Sequence, residues 1–556
     1  MSASSKKKLR KEQNAAQMTE KQRKEQKEAK NLKIYTAVFA VVMALVVVIT
    51  AVTVIWQFVS RSGVLERSTV AMTVDGTELS NAELSYYYID LIQQFYDDLY
   101  SNYSSNTNLY AMLMYGIDFT SPLSEQVFDE EAGTSWADHF LSEAKESARD
   151  TLALAAAAAA DGYTLTEEEQ ATYDANLEYI RAYTPYAYGY TDFEDFLKGF
   201  YGNGATEETY VKYYNATCLA KSYSSAHRES LSYDNEDLRE AEKEDFNIFS
   251  SFSYNTYYLN ANSFLEGGTT DADGKTTYSD EEKAAAVAAA EAAAKELTGS
   301  DIKSVEDFDA AIAGLSINAE KESVSSTAYS STLYSSVSSL LRDWVADESR
   351  QAGDTTYIAN TTTAEDGTVT TNGYYAVYYV SSTDNDFPLV NVRHILCAFE
   401  GGTTDDYGTT TYSDEEKTAA YNEAVALLDE WKAGDATEES FAALATEKTD
   451  DSASAATGGL YEQISPDSSY VENFLNWCID DSRKVGDTGI VESDYGYHIM
   501  YFVGDDEMTY RDSLITSTLT NRDQSEWYNA IVDAVTVEEG STSRINKDLV
   551  ISSSSY

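Results

Sequence analysis

Residues 266–283 read EGGTTDADGKTTYSDEEK and residues 400–417 read EGGTTDDYGTTTYSDEEK, so whatever fold one stretch adopts, the other must adopt too. The likeness runs on: DWVADESRQAGDT (343–355) answers NWCIDDSRKVGDT (476–488), and GYYAVYYV (373–380) answers GYHIMYFV (496–503). The chain therefore carries a duplicated domain. The copies part at two histidines. The second has His394 in VRHIL and His498 in GYHIM, where the first has Asn260 and Tyr375 at the matching places. A duplication that keeps its scaffold residues and differs at its histidines predicts one chemically equipped copy and one that serves as structure or as a binding surface.

A chain of 556 residues is too long for one core and calls for several domains. Its 94 Asp and Glu against 39 Lys and Arg argue against a nucleic-acid partner, since phosphate binding needs a basic surface. The charge is unevenly placed: residues 1–33 hold eleven Lys and Arg and only four acids. Then Ile34–Phe58 contains no charge at all. At 1.5 Å per residue that stretch crosses a bilayer core of roughly 30 Å. It is longer than the apolar part of a cleaved signal peptide and lacks a small-residue cleavage site. The reading is an uncleaved signal anchor, with the lipid bilayer a partner through 34–58. The basic flank keeps 1–33 in the cytoplasm and the acidic bulk outside, in a single-pass arrangement. Few prolines and cysteines suit an extracytoplasmic bacterial protein of the Gram-positive type. Cys218, Cys397 and Cys478 form no metal or disulfide pattern and read as buried thiols.

Val70–Ser85 reads as a strand, an Asp-Gly turn and a helix start, with Ser80 and Glu83 spaced as a capping box. A helical module follows to about 250. The ring cluster Tyr86, Tyr87, Tyr88, Phe95 and Tyr96 on its first helix reads as core, or alternatively as a sticky surface for unfolded chains. Each duplicated unit then runs strand, acidic loop, long helix, short helix, Ser/Gly-rich segment, helix and strand pair. Ser413 and Glu416 cap the long helix of the second unit. Pairing of the first and last strands would bring His394 and His498 together. A long loop, Thr356–Phe387, is expected to join the units. An amphipathic helix, Thr509–Ala534, and a tail of short strand and frayed residues close the chain. DADG (271–274) and TTDDYG (403–408) hint at calcium but lack the spacing of a binding loop and read as solvated turns.

Taken together, VRHIL, the long helix, FAALATEKTDDSASAATGGL (441–460), ENF (472–474), GDTGIVES (486–493) and YGYHIMYF (495–502) resemble the parvulin family of peptidyl-prolyl isomerases. The order of parts around them resembles extracytoplasmic foldases of the PrsA and SurA type. The resemblance implies a multidomain fold: a basic cytoplasmic tail (1–33), a transmembrane helix (34–58), an α-helical chaperone-like module (69–250), two α+β parvulin-like domains (254–381, degenerate, and 391–503), and a C-terminal helix and tail (504–556). It implies catalytic His394, Asp451, His498 and Ser493, and a proline pocket of Leu460, Tyr470 and Phe474. Tyr470 stands where the family usually has Met, and Tyr461 where Gly is common, which narrows the pocket. The resemblance implies no cofactor and no metal. Partners would be unfolded or partly folded exported proteins with X-Pro bonds, and a homodimer is allowed but not required. At the places matched to His394, Asp451 and His498 the first copy offers Asn260, about Val324 and Tyr375, and SSTLY (330–334) replaces the glycines, so no isomerase activity is expected there. The expected function is thus a membrane-anchored isomerase and foldase for exported proteins. The alternative is a holdase chaperone whose isomerase activity is vestigial.

Overall fold

The computed structural model describes residues 3–16, 20–103, 106–244, 246–271, 274–299, 301–321, 323–364, 367–404 and 409–548. The chain divides into two compact units, one built from residues 1–231 and 523–556 and the other from 232–522.

In the first unit, one helix runs unbroken over Glu20–Arg61 and is long and apolar enough to cross a membrane. Downstream, strands Val70–Val74 and Thr77–Ser80 form a hairpin. Asp75 (φ 46°) and Gly76 (φ 79°) make its turn, both in the left-handed region that a two-residue hairpin requires. Ser80 and Glu83 close the expected cap: each backbone N–H bonds the other's side chain, at 2.8 and 3.3 Å. The third strand of this sheet, Val537–Glu539, comes from far downstream and pairs with Val70–Val74. The tail beyond it, residues 545–548, holds a bend and a turn and no strand; residues 549–556 lie outside the described residues.

The early ring cluster is core. Tyr86 and Tyr88 are fully buried, and Tyr87 and Tyr96 nearly so. Tyr201, Tyr210 and Tyr213 surround the Tyr86 ring at 4.9, 5.4 and 5.2 Å. The Asp90 carboxylate accepts from Tyr201 Oη (2.8 Å) and Tyr213 Oη (2.7 Å), and these phenols serve both as apolar filling and as donors to a buried acid. The end of the C-terminal helix Tyr510–Val532 belongs here as well: Trp527, Tyr528 and Ile531 pack on Leu154, Ala158, Ala220 and Tyr223.

The second unit contains two four-stranded antiparallel sheets of one design. The first has strands β1 (Ser251–Asn260), β2 (Thr327–Leu333), β3 (Thr355–Thr363) and β4 (Val369–Thr383) in the order β2-β1-β4-β3. The second has β5 (Pro388–Ala398), β6 (Leu460–Ile464), β7 (Thr488–Glu492) and β8 (Gly496–Thr509) in the matching order β6-β5-β8-β7. Helices α1 (Asp280–Leu297), α2 (Val305–Gly314) and α3 (Ser339–Val345) attend the first sheet; α4 (Asp414–Ala433), α5 (Glu438–Lys448) and α6 (Glu472–Cys478) attend the second. The stretch expected to be a long joining loop is therefore mostly β3 and β4. The linker proper is residues 384–387.

The copies repeat each other down to single bonds. Ser279 caps α1 and Ser413 caps α4, each in a capping box. Glu282 and Glu416 each accept from a loop glycine N–H at 2.8 Å. Arg350 lies over Trp344 at 4.8 Å and Arg483 over Trp477 at 4.4 Å. The sheet registers correct two sequence matches, however. The strand glycines Gly373 and Gly496 stand opposite Asn260 and Ala398. His394 is four residues before Ala398, so its counterpart is Thr256, four before Asn260. The turn of 3₁₀ helix Ala261–Phe264, which the second copy lacks, displaces a count made from the shared Gly-Gly by four. In the same register Ser326, Thr327 and Ala328 replace Gly458, Gly459 and Leu460, four residues before the expected match. Val324 packs into the helix-side core of the first sheet. Tyr375 does correspond to His498.

Candidate active site

β5 and β8 are hydrogen-bonded neighbours, with His394 opposite Met500 and Leu396 opposite His498. Alternation along a strand sends successive side chains to opposite faces. Ile395, Cys397, Ile499 and Tyr501 pack against α4 and α5, so the histidines point to the other face. There Val392, Met500 and Phe502 pack with Phe474, Trp477 and Cys478 of α6. Both rings are nearly out of solvent, at 3% exposure for His394 and 6% for His498.

Asp451 arrives on the turn after α5, which is stitched to β5. Asp450 N–H donates to Leu396 O (2.9 Å), Ala398 N–H to the Asp450 carboxylate (2.8 Å), and His394 N–H to Gly459 O (2.9 Å). The Gly458-Gly459 pair has a steric reason. Both have positive φ, and a Cβ on Gly459 would sit 2.1 Å from His394 O, so no other residue lets the turn lie this close to the strand.

The polar side chains form one unbroken chain. Ser493 Oγ is 2.8 Å from His498 Nε2, His498 Nδ1 is 3.1 Å from His394 Nδ1, and His394 Nε2 is 3.0 Å from Asp451 Oδ2. Ser454 Oγ and Tyr461 Oη (3.0 Å) also donate to Asp451. Burial pushes the Asp451 carboxyl up, but the bonds from Ser454, Tyr461 and His394 outweigh it and hold the acid below its ordinary value. Burial lowers both histidines: His394 against the pull of Asp451, and His498, with His394 beside it, down to about 4. Near neutral pH, then, Asp451 is charged and both rings are neutral. One assignment of protons satisfies the run from Ser493 to Asp451: His394 Nε2–H donates to Asp451, His498 Nδ1–H to His394 Nδ1, and Ser493 O–H to His498 Nε2.

This arrangement has a consequence for stability. His498 drops from 6.5 to about 4 on folding, so between those values the unfolded chain binds the extra proton and stability rises with pH. The contribution is in full force above pH 6.5 and is lost as pH falls towards 4, a change of about 3 kcal/mol at 1.4 kcal/mol per pH unit. Urea unfolding of the full chain in detergent at pH 7 and pH 4.5 should show this loss. In His498→Phe the pH dependence should flatten by a comparable amount.

A cluster of aromatic rings lies beside the histidines. The Phe474 ring is 5.3 Å from each imidazole, Tyr461 is 4.9 Å from His394, and Tyr470 meets Tyr461 at 5.3 Å and Phe474 at 5.4 Å. Tyr470 and Phe474 thus stand together. Leu460 does not join them: it is opposite Arg393 and so on the face that packs against α4 and α5, and its neighbour Tyr461 stands with the rings instead. Ser454 was not singled out in the sequence; its signal is the three-residue spacing from Asp451 in DDSAS. Cys397 and Cys478 are free and buried, with thiols pushed up by burial to about 12, which leaves no activated thiol here. Among the described residues no three His, Cys, Asp or Glu side chains gather as a metal site. Parts of the two acidic loops, residues 272–273 and 405–408, lie outside the described residues.

Residues 375–504 match the family model of the PPIC-type PPIase domain. The chain carries a parvulin-type peptidyl-prolyl isomerase domain. The match begins within β4 of the first sheet, earlier than the expected start at 391, and takes in the second sheet to Gly504. Solved structures similar to this chain include the peptidylprolyl isomerase PrsA of Bacillus anthracis (18% identity, 27% of this chain and 59% of that one, TM-score 0.17). PrsA of Bacillus subtilis is similar at 23% identity (26% and 45%, TM-score 0.15), and a SurA-like chaperone of Campylobacter jejuni at 20% (26% and 50%, TM-score 0.13). The aligned part thus spans roughly half the length of these proteins. No curated protein matches the chain. The isomerase domain contains the polar chain and the aromatic pocket whole.

Proposed function

We propose that the protein is a membrane-anchored, extracytoplasmic peptidyl-prolyl cis/trans isomerase and foldase for exported proteins, with the chemistry confined to the second sheet. The hydrogen-bonded run Ser493–His498–His394–Asp451 beside the aromatic rings of Tyr461, Tyr470 and Phe474 carries this reading. Rotation about an X-Pro bond must break amide resonance, a barrier of about 18–20 kcal/mol. In the planar amide the carbonyl oxygen holds more negative charge than in the twisted one. A carboxylate held ionised beside that oxygen raises the planar form more than the twisted form, and the low dielectric of the pocket enlarges the difference. Asp451 is assigned this role. The histidines and Ser493 are assigned its positioning, because their protons are committed to one another. Tyr470, Phe474 and Tyr461 would hold the proline ring. The first sheet is read as a degenerate parvulin copy: Thr256 and Tyr375 replace the histidines, and two tyrosine rings, Tyr258 and Tyr375, face each other at 4.7 Å. The uncharged stretch Ile34–Phe58 with its basic N-terminal flank supports a cytoplasmic N-terminus and an outer location for the rest.

Proline-limited refolding of a denatured client, followed with the full chain in detergent, tests the assignment. Tyr375→Ala should leave the acceleration within about twofold of wild type, whereas His498→Ala with Asp451→Ala should abolish it. Acceleration that survives the double change would remove these residues from the mechanism.

A further inference from the structure

Tyr461 belongs to both halves of the site. Its ring meets Tyr470 at 5.3 Å and Phe474 at 6.0 Å, and those two meet each other at 5.4 Å. Aromatic rings at such separations are in direct contact, so the three leave no room among themselves for a proline ring. The Tyr461 hydroxyl, meanwhile, donates to Asp451 Oδ2 at 3.0 Å. The same oxygen accepts from His394 Nε2 (3.0 Å) and from Ser454 Oγ, and Oδ1 accepts from Ala453 N–H at 3.2 Å. With its side chain only 16% exposed, the acid offers a substrate carbonyl little to approach.

The duplication supplies a comparison within the chain. Tyr461 stands opposite Val392 on β5, and Tyr329 stands opposite Tyr254, the matching residue of β1. Tyr329 is thus the counterpart of Tyr461. Both lie on edge strands, β2 and β6, with no further strand to confine the ring. Among the described residues no carboxylate bonds the Tyr329 hydroxyl; its ring stacks on Tyr254 at 4.8 Å and is 41% exposed, whereas Tyr461 is half-buried. The strand alone does not draw a tyrosine inward. We infer that Tyr461 is a latch on the isomerase site, whose hydroxyl holds the ring against Phe474 and Tyr470 until a prolyl residue displaces it from Asp451. The inference rests on the isomerase reading above. Once displaced, the ring borders the bound proline, and the lone pair it leaves on Oδ2 faces the substrate carbonyl. Tyr461 acts on entry and not on bond rotation, which makes it a positioning residue. Its bond is of the stronger, charge-assisted kind, and apparent affinity falls in proportion to the fraction of molecules whose site is open.

Protease-coupled turnover of an X-Pro tetrapeptide by the full chain in detergent tests the latch through Tyr461→Phe, which keeps the ring and removes the bond. KM should fall about tenfold while kcat stays within about twofold, because in wild type too the latch is open once substrate is bound. An unchanged or raised KM overturns the inference. So does a lower kcat with its acid limb moved to higher pH, which would make the phenol a support for the charge on Asp451. Ser454→Ala removes another donor from the same oxygen without touching a ring, and should lower kcat without lowering KM. An equal fall of KM in both variants would trace the effect to the acid and overturn the latch. Asp451→Asn separates the two readings. Wild-type turnover in that variant removes the isomerase assignment and the latch together, whereas lost turnover there with unchanged KM in Tyr461→Phe removes the latch alone.

Discussion

Asp451→Asn should lower kcat/KM on an X-Pro peptide by roughly 100-fold, the cost typical of removing one preorganised electrostatic group from a water-poor site. The amide keeps the size of the carboxylate and can still accept from His394, Ser454 and Tyr461, so the pocket survives and only the charge goes. The effect should fall on kcat more than on KM, because the charge discriminates between planar and twisted amide rather than binding both. The pH profile adds a second reading. Asp451 lies below its ordinary range and His498 near 4, so wild-type activity should be level from about pH 8 down to about pH 5 and fall only below that. A profile with its midpoint near 6.5 would mean that a histidine titrates freely and that the proton chain is not as assigned. Protease-coupled turnover of a tetrapeptide substrate, or exchange spectroscopy at acid pH where the protease fails, makes both measurements.

Arg511→Met should cost about 4 kcal/mol of stability in the second unit, in the range found when one partner of a buried ion pair is removed. Arg511 is 1% exposed. Its guanidinium bonds Glu242 through Nε, Asp384 O through Nη1 (2.8 Å) and Phe246 O through Nη2 (2.8 Å), and lies over the Phe246 ring at 3.7 Å. One side chain thus joins the segment before the first sheet, the linker between the sheets and the start of the C-terminal helix. Met fills the volume but leaves two carbonyls without donors. Arg511→Lys should recover less than half of the loss, since an ammonium cannot serve three directions in one plane. Urea unfolding measures the loss, and kcat/KM under native conditions should stay within about twofold of wild type. A change below 1 kcal/mol would show that the junction is held by packing alone.

Signals that depend on near neighbours in the chain were legible in the sequence. The Ser80/Glu83 and Ser413/Glu416 caps, the Asp-Gly hairpin and the long helices needed only a few residues of context. The pairing of the histidine strands was also legible, because strands that open and close a repeated unit have few other partners. What failed depended on register or burial. Thr256 was hidden by one inserted 3₁₀ turn, which no gapless count can detect. Leu460 and Tyr461 are adjacent, and which one enters the pocket is decided by a one-residue step in pairing that inverts the faces. The Tyr86 cluster could be core or surface until Tyr201, Tyr210 and Tyr213, more than a hundred residues away, were seen packed around it. Strand Val537–Glu539 is too short to announce itself.

That strand also sets an order of events. Met72 pairs with Glu539, and all of residues 232–522 are threaded between the two parts of the first unit. A chain emerging N-terminus first therefore exposes the open edge at Val70–Val74 while both duplicated sheets are still being made. The sheets can close as each is completed, but the helical unit must wait for its last strand and for Trp527 and Tyr528. The first unit thus spends most of the chain's synthesis with its sheet one strand short.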